Sequence, residues 1–276
     1  MQDRRSWLLA GLGGLAGWAG EGLAPQAWAA QQAGAPDRAG GDPLGSLQWP
    51  TLREQFLGAD ARVRFSDAVQ VYTPAFADDT MNVPLQIDAR PLAAAGTPIQ
   101  RILVAVDRNP VREVLAFEPL RALPMLAFRI RLEQASPVRA MAQTEDGVWH
   151  VGSALAQAPG GGCTVSGASR LDGSWKSTLN QVQARIFRNV LEGSRRLRVS
   201  VMHPMDTGLV AGIPAFYIEQ LQLLDAGGAP WWRLALHEPV SENPFLTFEL
   251  PLQGPQVFRL TGQDNNGNRI DAEVRA

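Results

Sequence analysis

The cysteine of this 276-residue chain, Cys163, directly follows three glycines, Gly160, Gly161 and Gly162. A thiolate is a strong nucleophile, so this residue is the first candidate for covalent chemistry. Glycine has no side chain and wide backbone freedom, so the run indicates a flexible arm that could bring one sulfur into the active site of a partner. The nearest charged residue along the chain is Arg170. The sequence thus shows no local activator, as expected of a carrier thiol; an incidental loop cysteine is the alternative.

Three histidines, His150, His203 and His237, could act with this thiol. A cysteine enzyme needs a histidine base within hydrogen-bonding distance and a rigid oxyanion pocket, and a thiol beside a glycine run suits neither. A blue-copper site needs two His and one Cys, usually with an axial Met, on a rigid frame. His203 and Met205 follow Cys163 only after some forty residues, which is not a compact ligand loop. We predict structural histidines, no catalytic residue, no metal ligand and no cofactor; a thiol or metal enzyme is the weakest alternative.

The overall composition excludes some classes of partner. The chain carries 25 basic and 27 acidic residues, a net charge of −2, so nothing suggests a nucleic-acid-binding stripe or a polybasic membrane patch, and we expect neither partner. Hydrophobic residues make up 45% of the chain, enough for a sizeable core. The 27 glycines and 20 prolines indicate many turns, which favours an all-β fold.

The first 29 residues have the features of a signal peptide. A short basic start precedes an apolar run at 7–19, and an Ala-Trp-Ala cleavage motif occupies 27–29. The run is shorter than the roughly 20 residues that a membrane-spanning helix needs. The pair Arg4 and Arg5 resembles a twin-arginine signal, with a general secretory signal as the alternative. We expect a periplasmic protein, in which the single cysteine cannot form an internal disulfide.

A flexible lead-in and a short helix are expected next. Residues 30–46 are rich in Gly, Ala and Pro without periodicity. Pro50 then suits a first helical position, Leu52 and Phe56 share one helix face, and Gly58 offers a stop.

Alternating apolar residues predict β-strands in the first domain, residues 47–157. A period of two places one face of a strand in the core and the other in water. In the segment 126–133, this pattern assigns Arg129, Arg131 and Glu133 to the water face. We count six or seven strands here. The apolar residues that alternate in two of them are Val83, Leu85, Ile87, Leu126, Phe128, Ile130 and Leu132.

Residues 158–182, which carry Cys163, are dominated by Gly, Ser, Ala and Thr, so we predict an exposed linker. Alternation resumes in residues 183–276, for example at Leu197, Val199 and Val201. Two successive sets of short antiparallel strands predict two tandem β-sandwich domains.

Longer motifs in both halves resemble a known pair of proteins. The first half contains MNVPLQIDAR, ILVAVDRNPVREVLAFEP, RIRLEQASPVRAMAQTEDGVWHVGS and PGGGC; the second contains VSVMHPMDTG, IPAFYIEQLQL, EPVSENPFLTFEL and GQDNNG. These resemble the SoxY and SoxZ proteins of bacterial sulfur oxidation, including thiosulfate oxidation, here joined in one chain. The arrangement is also similar to fused SoxYZ-like carriers associated with quinoprotein dehydrogenases.

The resemblance implies two immunoglobulin-like sandwiches and a non-catalytic carrier. Cys163 matches the cysteine that holds sulfur intermediates covalently, and Gly160, Gly161 and Gly162 match the flexible arm. It implies partners among periplasmic sulfur-oxidation enzymes, c-type cytochromes or a quinoprotein dehydrogenase, and no membrane association after signal cleavage. The chain departs from the family pattern where Thr164 follows the cysteine and a second domain continues. The alternative is an accessory module for such a dehydrogenase or cytochrome, with Cys163 as a bystander.

Overall fold

A computed structural model describes residues 40–276, which form two β-sheets and several short helices. The predicted signal peptide, and residues 30–39 of the predicted lead-in, lie outside the described residues. The helices are α1 (Trp49–Leu57), α2 (Arg90–Ala94), α3 (Ala168–Asp172) and α4 (Trp175–Thr178). The strands are β1 (Val63–Phe65), β2 (Gln70–Tyr72), β3 (Val83–Asp88), β4 (Ile99–Val106), β5 (Glu113–Glu118), β6 (Met125–Ile130), β7 (Ser136–Thr144), β8 (Trp149–Ala156), β9 (Val182–Asn189), β10 (Ser194–Val201), β11 (Ile218–Asp225), β12 (Pro230–Leu236), β13 (Phe245–Pro251), β14 (Val257–Asp264) and β15 (Arg269–Arg275).

The period-two pattern gives the predicted strands. The alternating apolar residues of β3, β6 and β10 are buried. Arg129, which lies between two of them in β6, is exposed. The prediction for Arg131 is wrong, because β6 ends at Ile130 and the chain beyond it no longer alternates. Arg131 is only 1% exposed. Strand β9 was not predicted, although Ala184 and Ile186 within it alternate with the polar residues Gln183 and Arg185.

The two halves of the chain share both sheets. One sheet has the order β1-β8-β7-β4-β5-β12-β11-β14-β15, and the other has the order β2-β3-β6-β13-β10-β9. The halves join where β5 pairs with β12 and where β6 pairs with β13, both antiparallel. The predicted all-β fold of two β-sandwiches is confirmed, and its sandwiches are fused edge to edge by backbone hydrogen bonds.

One hydrophobic core runs across this junction. Phe117 of the first half and Phe248 of the second lie with ring centroids 5.7 Å apart, and Trp232 stacks on Phe248 at 4.1 Å. A smaller cluster lies under α1, where Trp49 and Leu52 are buried. The two halves are therefore held together at their junction by two continuous sheets and by one hydrophobic core.

The chain before α1 is fixed to the first half by buried charges. Arg139 of β7 forms ion pairs with Asp107 and with Asp42, and all three side chains are fully buried. Helix α1 has Pro50 in its first turn and ends at Leu57, directly before Gly58 with its φ of +93°, so the predicted helix is confirmed. None of the helices in residues 40–276 is long and apolar enough to cross a membrane.

Candidate functional site

Cys163 lies at the junction of the two halves, on the segment that joins them. We call residues 157–167 the cysteine arm. Gly161 N–H donates to the Glu133 carbonyl oxygen and Gly162 N–H donates to the Leu132 carbonyl oxygen, both at 2.9 Å. The arm therefore runs along the chain that follows β6. Cys163 is only 2% exposed, so the predicted exposure of this thiol is wrong for this conformation.

Close backbone packing explains the glycines of the arm. A Cβ at Gly162 would overlap the carbonyl oxygen of Thr80 and lie 2.9 Å from that of Leu132. Gly160 has φ +104°, and a Cβ there would lie 2.7 Å from the carbonyl oxygen of Glu133. These two glycines are required for the approach of the arm to its neighbours. Whether the arm is also flexible, as the sequence predicts, stays a prediction.

Both halves of the protein contact Cys163. From the first half, the Glu133 carboxylate accepts a hydrogen bond from Cys163 N–H at 3.2 Å, and the Arg131 carbonyl accepts one from the thiol at 3.8 Å. From the second half, Thr207 Oγ1 donates to the Cys163 carbonyl oxygen at 2.7 Å. The N–H, the carbonyl and the thiol of this one residue all have partners, which satisfies the polar groups that burial removes from water.

The Arg131 guanidinium hydrogen-bonds to the arm before and after Cys163, and to the second half. Its Nη1 donates to the carbonyl oxygens of Val165 at 2.9 Å and Gly162 at 3.4 Å. Its Nη2 donates to those of Met205 and Pro204, at 3.4 Å and 3.5 Å. Arg131 thus joins the arm to the loop after β10, which contains the HPMDTG motif.

The surroundings keep Cys163 in its neutral form. Burial, together with the nearby Glu133 carboxylate, raises the pKa of the thiol from 9.0 to about 12, against the opposing charge of Arg131. At pH 7 the thiolate fraction is then on the order of 10⁻⁵. In this conformation the thiol is both covered and weakly nucleophilic, because the thiolate is the reactive form.

The segment after the arm is fixed to the second half. Glu242 accepts hydrogen bonds from Ala168 N–H and Ser169 Oγ, both at 3.1 Å. Arg170 forms an ion pair with Asp206, beside Thr207. The predicted linker, residues 158–182, is therefore anchored on both sides of the cysteine and contains helices α3 and α4.

The histidines have other partners. His203 is fully buried, its Nδ1 accepts a hydrogen bond from Met205 N–H at 3.1 Å, and burial lowers its pKa to about 4. His237 Nε2 lies 3.4 Å from Glu113 Oε1, and His150 is a half-buried residue of β8. Within residues 40–276, no three His, Cys, Asp or Glu side chains form a group that could hold a metal ion.

Sequence reasoning missed three residues that contact the cysteine: Arg131, Glu133 and Thr207. The alternating pattern assigned Arg131 and Glu133 to the water face, and nothing in the sequence pattern marks them as neighbours of the thiol. Thr207 belongs to the HPMDTG motif, which was identified for its resemblance and not for a role. All three come near Cys163 through contacts 30 or more residues apart along the chain.

Comparisons with known proteins also divide the chain into two halves. Residues 53–163 match the family model of sulfur oxidation protein SoxY, and residues 188–275 match that of sulphur oxidation protein SoxZ. The chain is similar to the solved structure of the sulfur carrier protein SoxY from Chlorobium limicola f thiosulfatophilum. Identity is 17% and the TM-score is 0.32, over 39% of this chain and 88% of that chain. Curated protein sequences give no match.

Proposed function

Because the chain belongs to the SoxY and SoxZ families, with a SoxY domain followed by a SoxZ domain, we propose that it is a sulfur carrier. In this proposal Cys163 holds a sulfur intermediate covalently and presents it to separate enzymes. The protein itself catalyses no reaction on the bound group.

The observation that carries the proposal is the position of the thiol. The SoxY match ends at Cys163, which is the cysteine of this chain, and the resemblance assigns covalent binding to that position. The thiol also lies between the two domains, on a segment whose backbone contacts both of them.

Loading of the carrier is an oxidative coupling. A new S–S bond forms between Cys163 and the sulfur of the incoming compound; two electrons leave, together with the thiol proton and any proton carried by the incoming sulfur. The two electrons need an acceptor, and we propose that a c-type cytochrome or a quinoprotein dehydrogenase accepts them. Enzymes of periplasmic sulfur oxidation are the proposed partners that act on the loaded group.

The buried thiol must leave its pocket before it reacts. With a pKa of about 12 and almost no exposure, Cys163 is unsuited to attack in the position described. Thr164 and Val165, directly after it, are exposed, whereas Gly162 and Cys163 are buried. Movement of the arm out of the pocket would return the thiol to water and to an ordinary pKa.

The same burial favours a second candidate function. A covered thiol of high pKa is also what an unused cysteine would show, and the protein would then be an accessory module for a dehydrogenase or cytochrome. The variant Cys163→Ala separates the two. A carrier loses all function in cells with this variant, whereas an accessory module keeps its function and still co-purifies with its partner.

The control for this experiment is Cys163→Ser, which keeps a small polar group in the pocket. Loss of function in both variants, with normal amounts of folded protein, supports the carrier. Full function in both would contradict it.

We also propose export to the periplasm by the twin-arginine route. The proposal depends on Arg4 and Arg5, which lie outside the described residues, and on the family resemblance. Replacement of both by Lys should block export, because this route reads the arginine pair. Unchanged export would indicate the general secretory route.

A further inference from the structure

Arg131 is a buried charge without a carboxylate among its hydrogen-bond partners. It is 1% exposed, and its four acceptors are all backbone carbonyl oxygens. Its Nε has no partner. Burying a guanidinium in this way is costly, because carbonyl dipoles replace water less well than an ion pair would. Burial lowers the pKa of Arg131, while Glu242, Cys163, Asp206 and Asp79 act on it in the opposite direction.

The acceptors of Arg131 show what this charge holds. Gly162 and Val165, on either side of Cys163, both accept from Nη1, whereas Pro204 and Met205 of the second half accept from Nη2. A planar guanidinium can make such a set of bonds at once, because its donors point in fixed directions. One side chain of the first half thus connects the cysteine arm with the second half.

We propose that Arg131 is the positioning residue that holds the cysteine arm in its buried position, so that Cys163 reacts only after these contacts open. Thr207, which donates to the Cys163 carbonyl oxygen, is the corresponding contact from the second half. The biological meaning of this restraint on the arm rests on the proposed carrier function. The restraint itself affects any reaction of the thiol.

The charge and the hydrogen bonds of Arg131 act on the thiol in opposite directions. The positive charge stabilises a thiolate and lowers the pKa of Cys163. The hydrogen bonds keep Cys163 buried beside Glu133, where burial and the carboxylate raise that pKa to about 12. Removal of Arg131 therefore changes the reaction rate of the thiol in a direction that depends on which of the two effects is larger. The thiol reacts faster if Arg131 mainly holds the arm, and more slowly if it mainly stabilises the thiolate.

The test is the rate of alkylation by iodoacetamide of the full mature chain, followed by intact mass from pH 6 to pH 10. The thiolate sulfur bonds to the methylene carbon, iodide leaves, and the thiol proton passes to the buffer. Arg131→Met removes the hydrogen bonds and the charge at similar length, and Arg131→Lys keeps the charge without the fork. Thr207→Val removes the contact from the second half. Arg129→Met, an exposed arginine of β6, is the matched control.

We expect Arg131→Met to react faster at pH 8, by tenfold up to the limit of about 1,000-fold set by a pKa change from about 12 to 9.0. Arg131→Lys and Thr207→Val should show smaller increases, and Arg129→Met none. The apparent pKa of the reaction should fall toward 9 in the faster variants.

An unchanged or slower Arg131→Met, with a normal circular dichroism spectrum and melting temperature, overturns the inference. If that variant does not fold, Thr207→Val decides: no acceleration there also overturns it. Because alkylation needs no sulfur substrate, an absence of adducts in cells would contradict the carrier function and leave this result unaffected.

Discussion

The substitution Gly162→Ala should force the cysteine arm out of its pocket. An added Cβ would overlap the Thr80 carbonyl oxygen and lie 2.8 Å from its carbon and 2.9 Å from the Leu132 oxygen. These are backbone atoms of neighbouring chain segments, whereas carbon atoms in contact normally lie about 3.5 Å or more apart. The arm must shift by about an ångström, which lengthens the Gly162 N–H to Leu132 hydrogen bond beyond a useful distance.

Displacement of the arm changes two measurable quantities. The free energy of unfolding should fall by about 2–4 kcal/mol, from several hydrogen bonds of about 1 kcal/mol each and the lost burial of Cys163. The pKa of the thiol should return from about 12 toward 9.0, so the thiolate population at pH 8 should rise by up to about 1,000-fold. Urea unfolding and the rate of alkylation measure the two effects.

Gly161→Ala is the matched control for this prediction. Gly161 has φ +79°, so an alanine there is strained by about 1 kcal/mol, but its Cβ would point into open space. We expect slightly lower stability and little change in alkylation. Equal alkylation rates in wild type, Gly161→Ala and Gly162→Ala would refute the reasoning, because the thiol would then be accessible without displacement of the arm.

Two further predictions concern the buried ionisable residues Arg139 and His203. Arg139→Met should lower the free energy of unfolding in urea by about 3–5 kcal/mol, because it leaves the buried carboxylates of Asp42 and Asp107 without their cation; a loss below 1 kcal/mol would contradict this. His203 has a folded pKa of about 4 against 6.5 unfolded, so the unfolded chain binds more protons and stability falls as pH drops below 6.5. Between pH 7 and pH 5 the wild type should lose about 2 kcal/mol more than His203→Asn, which does not titrate; equal losses would show that His203 is not buried as a neutral group.

The strands were predictable because their signal is local. Alternation of apolar side chains fixes which face of β3, β6 and β10 is buried, whatever pairs with them. The pairing of β5 with β12 and of β6 with β13 joins segments more than 100 residues apart, and a period of two carries no signal for the choice of partner strand. The continuous sheets could therefore not be read from the sequence.

The candidate site was predicted only in part, for a similar reason. Cys163 stands out by its type and its glycines, and the resemblance to SoxY and SoxZ is confirmed by the two family matches. The environment of the thiol depends on Arg131, Glu133 and Thr207, whose positions follow from the end of β6 and from the loop after β10. Gly162 suggested flexibility, whereas the structure shows that its missing side chain permits close contact with Thr80.

The mass of the cysteine-containing peptide isolated from the source cells tests most directly whether Cys163 carries sulfur covalently. Cells that oxidise reduced sulfur should yield a fraction of this peptide with added sulfur or sulfur and oxygen, removable by a thiol reductant where the link is an S–S bond. Protein with Cys163→Ser provides the matched control and should show no addition. An unmodified thiol under all conditions of sulfur oxidation would contradict the account.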